Sequence, residues 1–207
     1  MKKFKNKKLI LFDLDGVLIK SLKNMQMAWR NTNKKFNLNI SFQNYKKHIG
    51  KPFKNILNIL DINKKYHHLI EKEFKKHSLK NLDKIKFYPN VLEVLRYLKK
   101  EYKIGVLTSK DKYRTNKILS KLNIKFNLIQ CPEKNLRGKP FPDLLLKIIK
   151  KLKIKKHECI YIGDTNYDLL ACKGAGIDFI FAKYGYKIGI KNYKYSISKF
   201  KSLNKIF

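Results

Sequence analysis

The sequence predicts an α/β protein: a mostly parallel sheet covered by helices on both faces, with a small helical bundle inserted after the first strand. Three observations carry this reading. From Pro89 onward, short apolar runs alternate with helical stretches, the pattern of strands joined by crossover helices. Before Pro89, residues 17–86 read as helical, with Leu22, Met25, Trp29 and Phe36 recurring at helical spacing, as do Tyr66, Leu69, Ile70 and Phe74. Two apolar runs, Leu9-Ile10-Leu11-Phe12 and Cys159-Ile160-Tyr161-Ile162, each lead directly into acidic clusters, Asp13-Leu14-Asp15-Gly16 and Gly163-Asp164-Thr165-Asn166-Tyr167-Asp168.

In chain order, the first strand ends at Asp13. The helical insert is broken at Ile40-Ser41 and at Gly50-Lys51-Pro52. Pro89 suits the first turn of a helix carried by Val91, Leu92, Leu95 and Leu98. The run Ile104 to Leu107 reads as a strand ending at Thr108-Ser109-Lys110, followed by a helix over 112–122 and a strand near Leu128-Ile129. A helix over 142–152, with Leu144 to Leu152 apolar on one side and Lys147, Lys150 and Lys151 on the other, leads to the strand Cys159 to Ile162. A helix from about Tyr167 and a last strand, Phe179-Ile180-Phe181, complete the pattern. In parallel sheets ligands bind beyond the carboxyl ends of the strands, where Asp13, Thr108 and Asp164 all stand.

Charge and cysteines bound the function. The chain carries 49 Lys and Arg against 15 Asp and Glu, a formal charge of +34, whose first reading is nucleic-acid or anionic-membrane binding. Only Arg30, Arg96, Arg114 and Arg137 are arginines, however, whereas base reading favours the Arg fork, and the lysines are spread along the whole length. A drifted, solvated surface with no specific nucleic-acid site is therefore expected. Cys131, Cys159 and Cys172 show neither disulfide nor zinc spacing, and a reducing cytoplasm fits them. The basic start Met1-Lys2-Lys3-Phe4-Lys5 imitates an export signal, but Asp13 interrupts the short apolar run that follows, and no stretch approaches a membrane span.

Asp13 and Asp15 stand two apart on an extended segment, so their side chains share one side and can converge. Two close carboxylates repel unless a proton or cation is supplied, and a divalent metal is the simplest supply. Taken singly, Asp-x-Asp and Gly-Asp-Thr read equally well as a turn or a helix cap, Thr108 as a strand-end hydroxyl, and Lys139 as one solvated lysine among many. Their joint order is what matters. Asp13-x-Asp15-Gly16-Val17, Thr108 after a strand, Lys139-Pro140 and Gly163-Asp164-x-x-x-Asp168 together resemble the four ordered motifs of the haloacid dehalogenase (HAD) superfamily, and the resemblance covers nearly the whole chain. Thr108-Ser109-Lys110 and Ala175-Gly176-Ile177 followed by Tyr184-Gly185-Tyr186 are similar to the phosphoglycolate-phosphatase-like branch.

The resemblance implies a Rossmann-like core over residues 1–16 and 87–207 with a helical cap over 17–86, and a Mg²⁺-dependent phosphatase of small phosphorylated metabolites. Phosphate-monoester hydrolysis needs its barrier lowered by about 20 kcal/mol or more, and a carboxylate nucleophile splits it into two easier steps. The resemblance implies that Asp13 is the nucleophile and Asp15 the acid/base, with Lys139 and Thr108 stabilising the phosphoryl group. Mg²⁺ would be held by Asp13, the backbone carbonyl of Asp15, and Asp164. Asp168 would orient a metal water or Lys139. The cap would exclude water, and Gly50-Lys51-Pro52 resembles the loop facing the site, which makes Lys51 and Ser109 candidate substrate contacts. Lys110 reads either as a phosphate neighbour or as an idle surface lysine. His67-His68 with Glu71 has metal-like spacing but reads as a solvated cap helix.

Phosphoglycolate is the first substrate to expect, although relatives commonly carry an acid where this chain has Lys20. A sugar-phosphate mutase or pyrophosphatase on the same scaffold is the alternative, and a lysine-rich nucleic-acid-binding protein the alternative from another class. Mutases of this superfamily carry a histidine where this chain has Met25, and a thioether cannot relay a proton. Dehalogenation needs no second acid such as Asp15. Oligomeric state leaves no trace in the sequence.

Overall fold

Strand β1 (Leu9–Phe12) is fully buried, and its side chains part by alternation. Ile10 and Phe12 enter one apolar cluster, Leu9 and Leu11 the cluster on the opposite face. A strand with two apolar faces needs cover on both, and the rest of the chain supplies it. The structure, a computed structural model, describes residues 4–207. Met1 to Lys3, the start of the signal-like basic stretch, lie outside the described residues.

After β1 the chain turns into a two-residue strand β2 (Ile19–Lys20) and then helices α1 (Leu22–Lys35), α2 (Phe42–Lys46), α3 (Phe53–Ile59) and α4 (His67–Lys80). Strand β3 (Lys86–Phe87) returns antiparallel to β2. There follow α5 (Val91–Leu98), β4 (Lys103–Leu107), α6 (Lys112–Leu119), β5 (Leu128–Gln130), α7 (Asp143–Leu152), β6 (Cys159–Gly163), α8 (Asn166–Ala175), β7 (Asp178–Ala182) and β8 (Tyr195–Ile197), with a 3-10 turn at Phe200–Lys205.

The main sheet has six parallel strands in the order β5-β4-β1-β6-β7-β8. Because β1 lies between β4 and β6, the connections diverge on either side of its carboxyl end, and a crevice opens there. Residues of α5 (Val91, Val94, Leu95, Leu98), with Phe200, Leu203 and Phe207, cover one face; Leu144, Leu145, Ile148 and Ile149 of α7, with Leu169 and Cys172 of α8, cover the other. The four-helix insert has its own core, where Trp29 stacks on Tyr45 at 4.5 Å beside Ile56, Leu57, Ile70 and Phe74. Among the described residues no helix is long and apolar enough to cross a membrane, and the three cysteines are free and buried.

Some elements differ from the sequence expectation. Strand β8 and the β2-β3 ribbon carry too few residues for a periodic signal. The helix expected over 112–122 is α-helical only to Leu119 and tightens to 3-10 at Ser120–Leu122. Pro89 precedes its helix rather than opening it, because Asn90, in the left-handed conformation at φ 63°, is the cap of α5.

Candidate active site

Asp13 follows β1 directly, its N–H still bonded to the Ile162 carbonyl of β6 at 2.9 Å. Its Oδ1 meets Lys139 Nζ at 3.0 Å, and its other oxygen has no protein partner among the described residues. Lys139 is 2% exposed, and its ammonium also meets Asp168 Oδ1 at 2.6 Å and the Tyr161 hydroxyl at 3.2 Å. Burial pulls this ammonium down, but Asp13 and Asp168 more than offset it, so its pKa stands above the ordinary lysine value.

Asp168 is fixed by the start of α8. Thr165 caps that helix, and Asp168 Oδ2 accepts the Thr165 N–H at 3.0 Å, the Thr165 hydroxyl at 2.7 Å and the Asp164 N–H at 3.3 Å. Both oxygens of Asp168 are therefore engaged, Oδ1 with Lys139 and Oδ2 with the start of α8.

Asp164 is wholly buried. Its Oδ2 accepts the Tyr186 N–H at 2.6 Å, while Oδ1 has no hydrogen-bond partner. Two glycines make room for it. Gly16, at φ +85°, would place a Cβ 2.0 Å from Asp164 Oδ2, and a Cβ on Gly185 would fall 2.4 Å from Asp164 Cβ and 2.6 Å from the Gly16 carbonyl. Burial raises the Asp13 pKa to about 7, partly offset by Lys139 and reinforced by Asp168 and Asp15. Burial, with Asp168 and Asp13, lifts Asp164 well above the carboxylate range.

Carboxylate oxygens of Asp13, Asp164 and Asp168 lie within 4.8 Å of one another, all buried. Since Asp168 is spent, Asp13 and Asp164 are the acids with an oxygen to give. An orphaned buried oxygen beside a half-paired carboxylate in a space that two glycines keep open is a donor set that suits a hard divalent cation. The side chain of Asp15 stands outside this cluster: its Oδ1 accepts the Ser21 hydroxyl and pairs with Lys110 Nζ at 3.2 Å. Lys110 thus belongs to the site. Burial lowers its pKa and Asp15 partly restores it.

Asp13, Asp15, Lys110 and Lys139 line one cleft between sheet and insert, together with Thr108, Ser109, Lys51 and Met25, while Asp164 and Asp168 lie buried behind it. Thr108 Oγ1 accepts the Lys110 N–H at 3.1 Å, and Ser109 Oγ donates to the Gly50 carbonyl at 2.6 Å, tying the sheet to the insert. Lys51 Nζ lies 4.8 Å from the Tyr167 ring centroid. Lys20 is exposed, over Tyr88. His67 is buried with Nε2 on the Ile62 carbonyl, and joins no metal-like cluster among the described residues.

Sequence reasoning missed four contributors. Ser21 and Tyr186 share a hydrogen bond at 2.8 Å that steadies Asp15 from behind, and the Tyr161 hydroxyl links Lys139 to the Leu107 carbonyl. Arg114, buried on α6, also lines the cleft. One signal was available: in so lysine-rich a chain, an arginine is itself unusual.

A parallel α/β sheet under a helical insert, with carboxylates and lysines gathered at the strand ends, defines the class, an α/β enzyme whose site lies beyond the carboxyl ends of its strands. The sequence profile of the haloacid dehalogenase-like hydrolases matches residues 10–182, and the chain belongs to that family. Over 184 residues it is 33% identical to a phosphoglycolate phosphatase of Aquifex aeolicus, covering 86% of each chain. Over 177 residues it is 28% identical to the pyrophosphatase PpaX of Bacillus cereus, covering 81% of this chain and 79% of that one. Among solved structures, a hydrolase from Pseudomonas syringae superposes with a TM-score of 0.87 over 97% of this chain and 98% of the other, at 23% identity, a likeness of fold.

Proposed function

We propose that this phosphatase hydrolyses small phosphomonoesters with Mg²⁺, phosphoglycolate being the first substrate to try, through a phosphoryl group carried on Asp13. The observation that supports this most is the division of labour on Asp13: one oxygen is held by Lys139 and the other is unpartnered toward the cleft. In this reading the unpartnered oxygen attacks phosphorus, Asp15 gives its proton to the departing alkoxide, and then takes a proton from water as that water releases phosphate and frees Asp13. The ammoniums of Lys139 and Lys110 and the Thr108 hydroxyl face the charge that spreads over the phosphoryl oxygens. Asp164, the Asp15 backbone carbonyl and the Asp13 oxygen that does not attack would hold Mg²⁺, which when bound would neutralise phosphate charge. The helical cap, residues 17–86, excludes water, with Ser109 and Gly50 as its latch.

Pyrophosphate hydrolysis is the second reading, favoured by the cationic lining of the cleft and by the PpaX relative. A mutase is not favoured, because Met25 lines the cleft where a proton relay would be needed. The test is phosphate release from a panel of phosphomonoesters and pyrophosphate with Mg²⁺. Asp13→Asn should lower kcat by about 10⁴-fold or more, and excess EDTA should abolish turnover. Turnover by folded Asp13→Asn, or full activity in EDTA, contradicts the reading.

A further inference from the structure

Of the four arginines, Arg114 alone is buried. Asp111 Oδ2 holds its Nε at 2.5 Å, and the guanidinium lies 5.6 Å from the Phe74 ring centroid across the cleft. Its two terminal nitrogens have no protein partner among the described residues. Tyr45, 3% exposed and stacked on Trp29, presents a hydroxyl that likewise has none. These donors are not buried orphans but open onto the cleft, where the planar fork of Arg114 fits the oxygens of an anion.

The same cleft holds Asp13 and Asp15, and its lining counts four cations, Lys51, Lys110, Arg114 and Lys139, against those two carboxylates. Lys139 and Lys110 stand beside Asp13 and Asp15 at the phosphoryl end, and Asp111 engages Arg114 through Nε alone, so the terminal nitrogens of Arg114 are donors that the phosphoryl end does not use. The wall on the insert side is apolar, built from Met25, Ile49, Phe53, Ile56 and Phe74. Sugar hydroxyls laid against that wall would lose their water without gaining partners.

We propose that Arg114, with the Tyr45 hydroxyl, forms a second anion subsite that selects phosphate esters whose short body, poor in hydroxyls, carries a further negative group, a carboxylate or a second phosphate. This rests on the phosphatase reading and narrows its substrate class. Asp111 orients the guanidinium, leaving its paired terminal nitrogens to meet two oxygens of the distal group.

The test compares kcat/KM for phosphoglycolate, pyrophosphate and ethyl phosphate, the last lacking any distal charge. Arg114→Gln should lower the ratio of phosphoglycolate or pyrophosphate to ethyl phosphate by about tenfold or more, Arg114→Lys should recover part of it, and Tyr45→Phe should lower it less. Whichever of phosphoglycolate and pyrophosphate shows the larger fall distinguishes a carboxylate from a phosphate subsite. Equal losses on all three substrates would make Arg114 a packing residue and overturn the inference. Binding gives an arm independent of turnover. Wild-type protein should be stabilised more by phosphonoacetate than by ethylphosphonate, and Arg114→Gln should lose that preference. Preference without hydrolysis of any substrate would retain the subsite and sink the phosphatase reading; no preference in wild type, with hydrolysis intact, would do the reverse.

Discussion

The two walls of the cleft are built on opposite principles. On the sheet side the polar groups are tied into one buried network: Lys139 bridges Asp13 and Asp168, Asp168 spends both oxygens, and Tyr161 ties the group to the Leu107 carbonyl. On the insert side the wall is aromatic and aliphatic, and its cation, Lys51, rests over a tyrosine ring. Breaking a buried pair from one partner costs about 3–5 kcal/mol, whereas exchanges of apolar residues of similar volume cost under about 1.5 kcal/mol. The sheet side is therefore intolerant of change and fit for one chemistry, while the insert side can vary at little cost and so adapt to a substrate.

The largest effect that tests this contrast is expected at Gly16. Ala there demands a left-handed backbone from a residue that resists it and drives a methyl into Asp164 Oδ2. Displacing Asp164 by even an ångström should reduce kcat by about 10²-fold while the fold survives. Wild-type turnover by Gly16→Ala, with Mg²⁺ in excess, would show that the sheet side is more forgiving than its packing suggests.

A second expectation concerns stability. In EDTA the buried Asp164 faces Asp13 and Asp168 with an orphaned oxygen, so Asp164→Asn should melt higher than wild type, by about 2–4 °C for a gain of about 1 kcal/mol. Adding Mg²⁺ should raise the wild-type Tm and leave the variant unmoved, as read by thermal unfolding. A variant that melts lower than wild type in EDTA would mean that the acid cluster supports the fold without a cation.

The smallest effect should come from the latch. Ser109→Ala removes one neutral hydrogen bond to the Gly50 carbonyl, a net loss of about 1 kcal/mol, so KM should rise several-fold with the sheet-side chemistry untouched. A loss of kcat equal to that of Gly16→Ala would erase the distinction between the walls.

This contrast also explains what could be read in advance. Asp13, Thr108 and Asp164 directly follow strand ends, Asp15 comes two residues on and Asp168 lies in a helix start, so the apolar periodicity that marks those elements marks the residues too; Lys139, in the loop between β5 and α7, is legible only through its place in the ordered motifs. Ser21, Tyr186 and Arg114 carry no such marker. Their place in the cleft depends on how the insert folds back over the sheet, through contacts such as the Ser21–Tyr186 bond between residues 165 positions apart. Strand β8, three residues among lysines, is recruited by pairing with β7 rather than by any pattern of its own. Lys110 was undecidable for a related reason: composition makes any lysine unremarkable, and burial beside Asp15 is a tertiary fact.

The β2-β3 ribbon, two residues wide on each side, sets Ile19 against Phe87 and Lys20 against Lys86. The chain thus leaves the sheet and comes back to it at the same spot. To the sheet, everything between those rungs amounts to one long loop whose ends are already stapled. Closure entropy grows only with the logarithm of loop length, so lengthening or shortening that excursion costs the parent fold little, about 0.6 kcal/mol for each doubling. A graft cut at these two rungs is the natural way to give the same reaction centre a different lid.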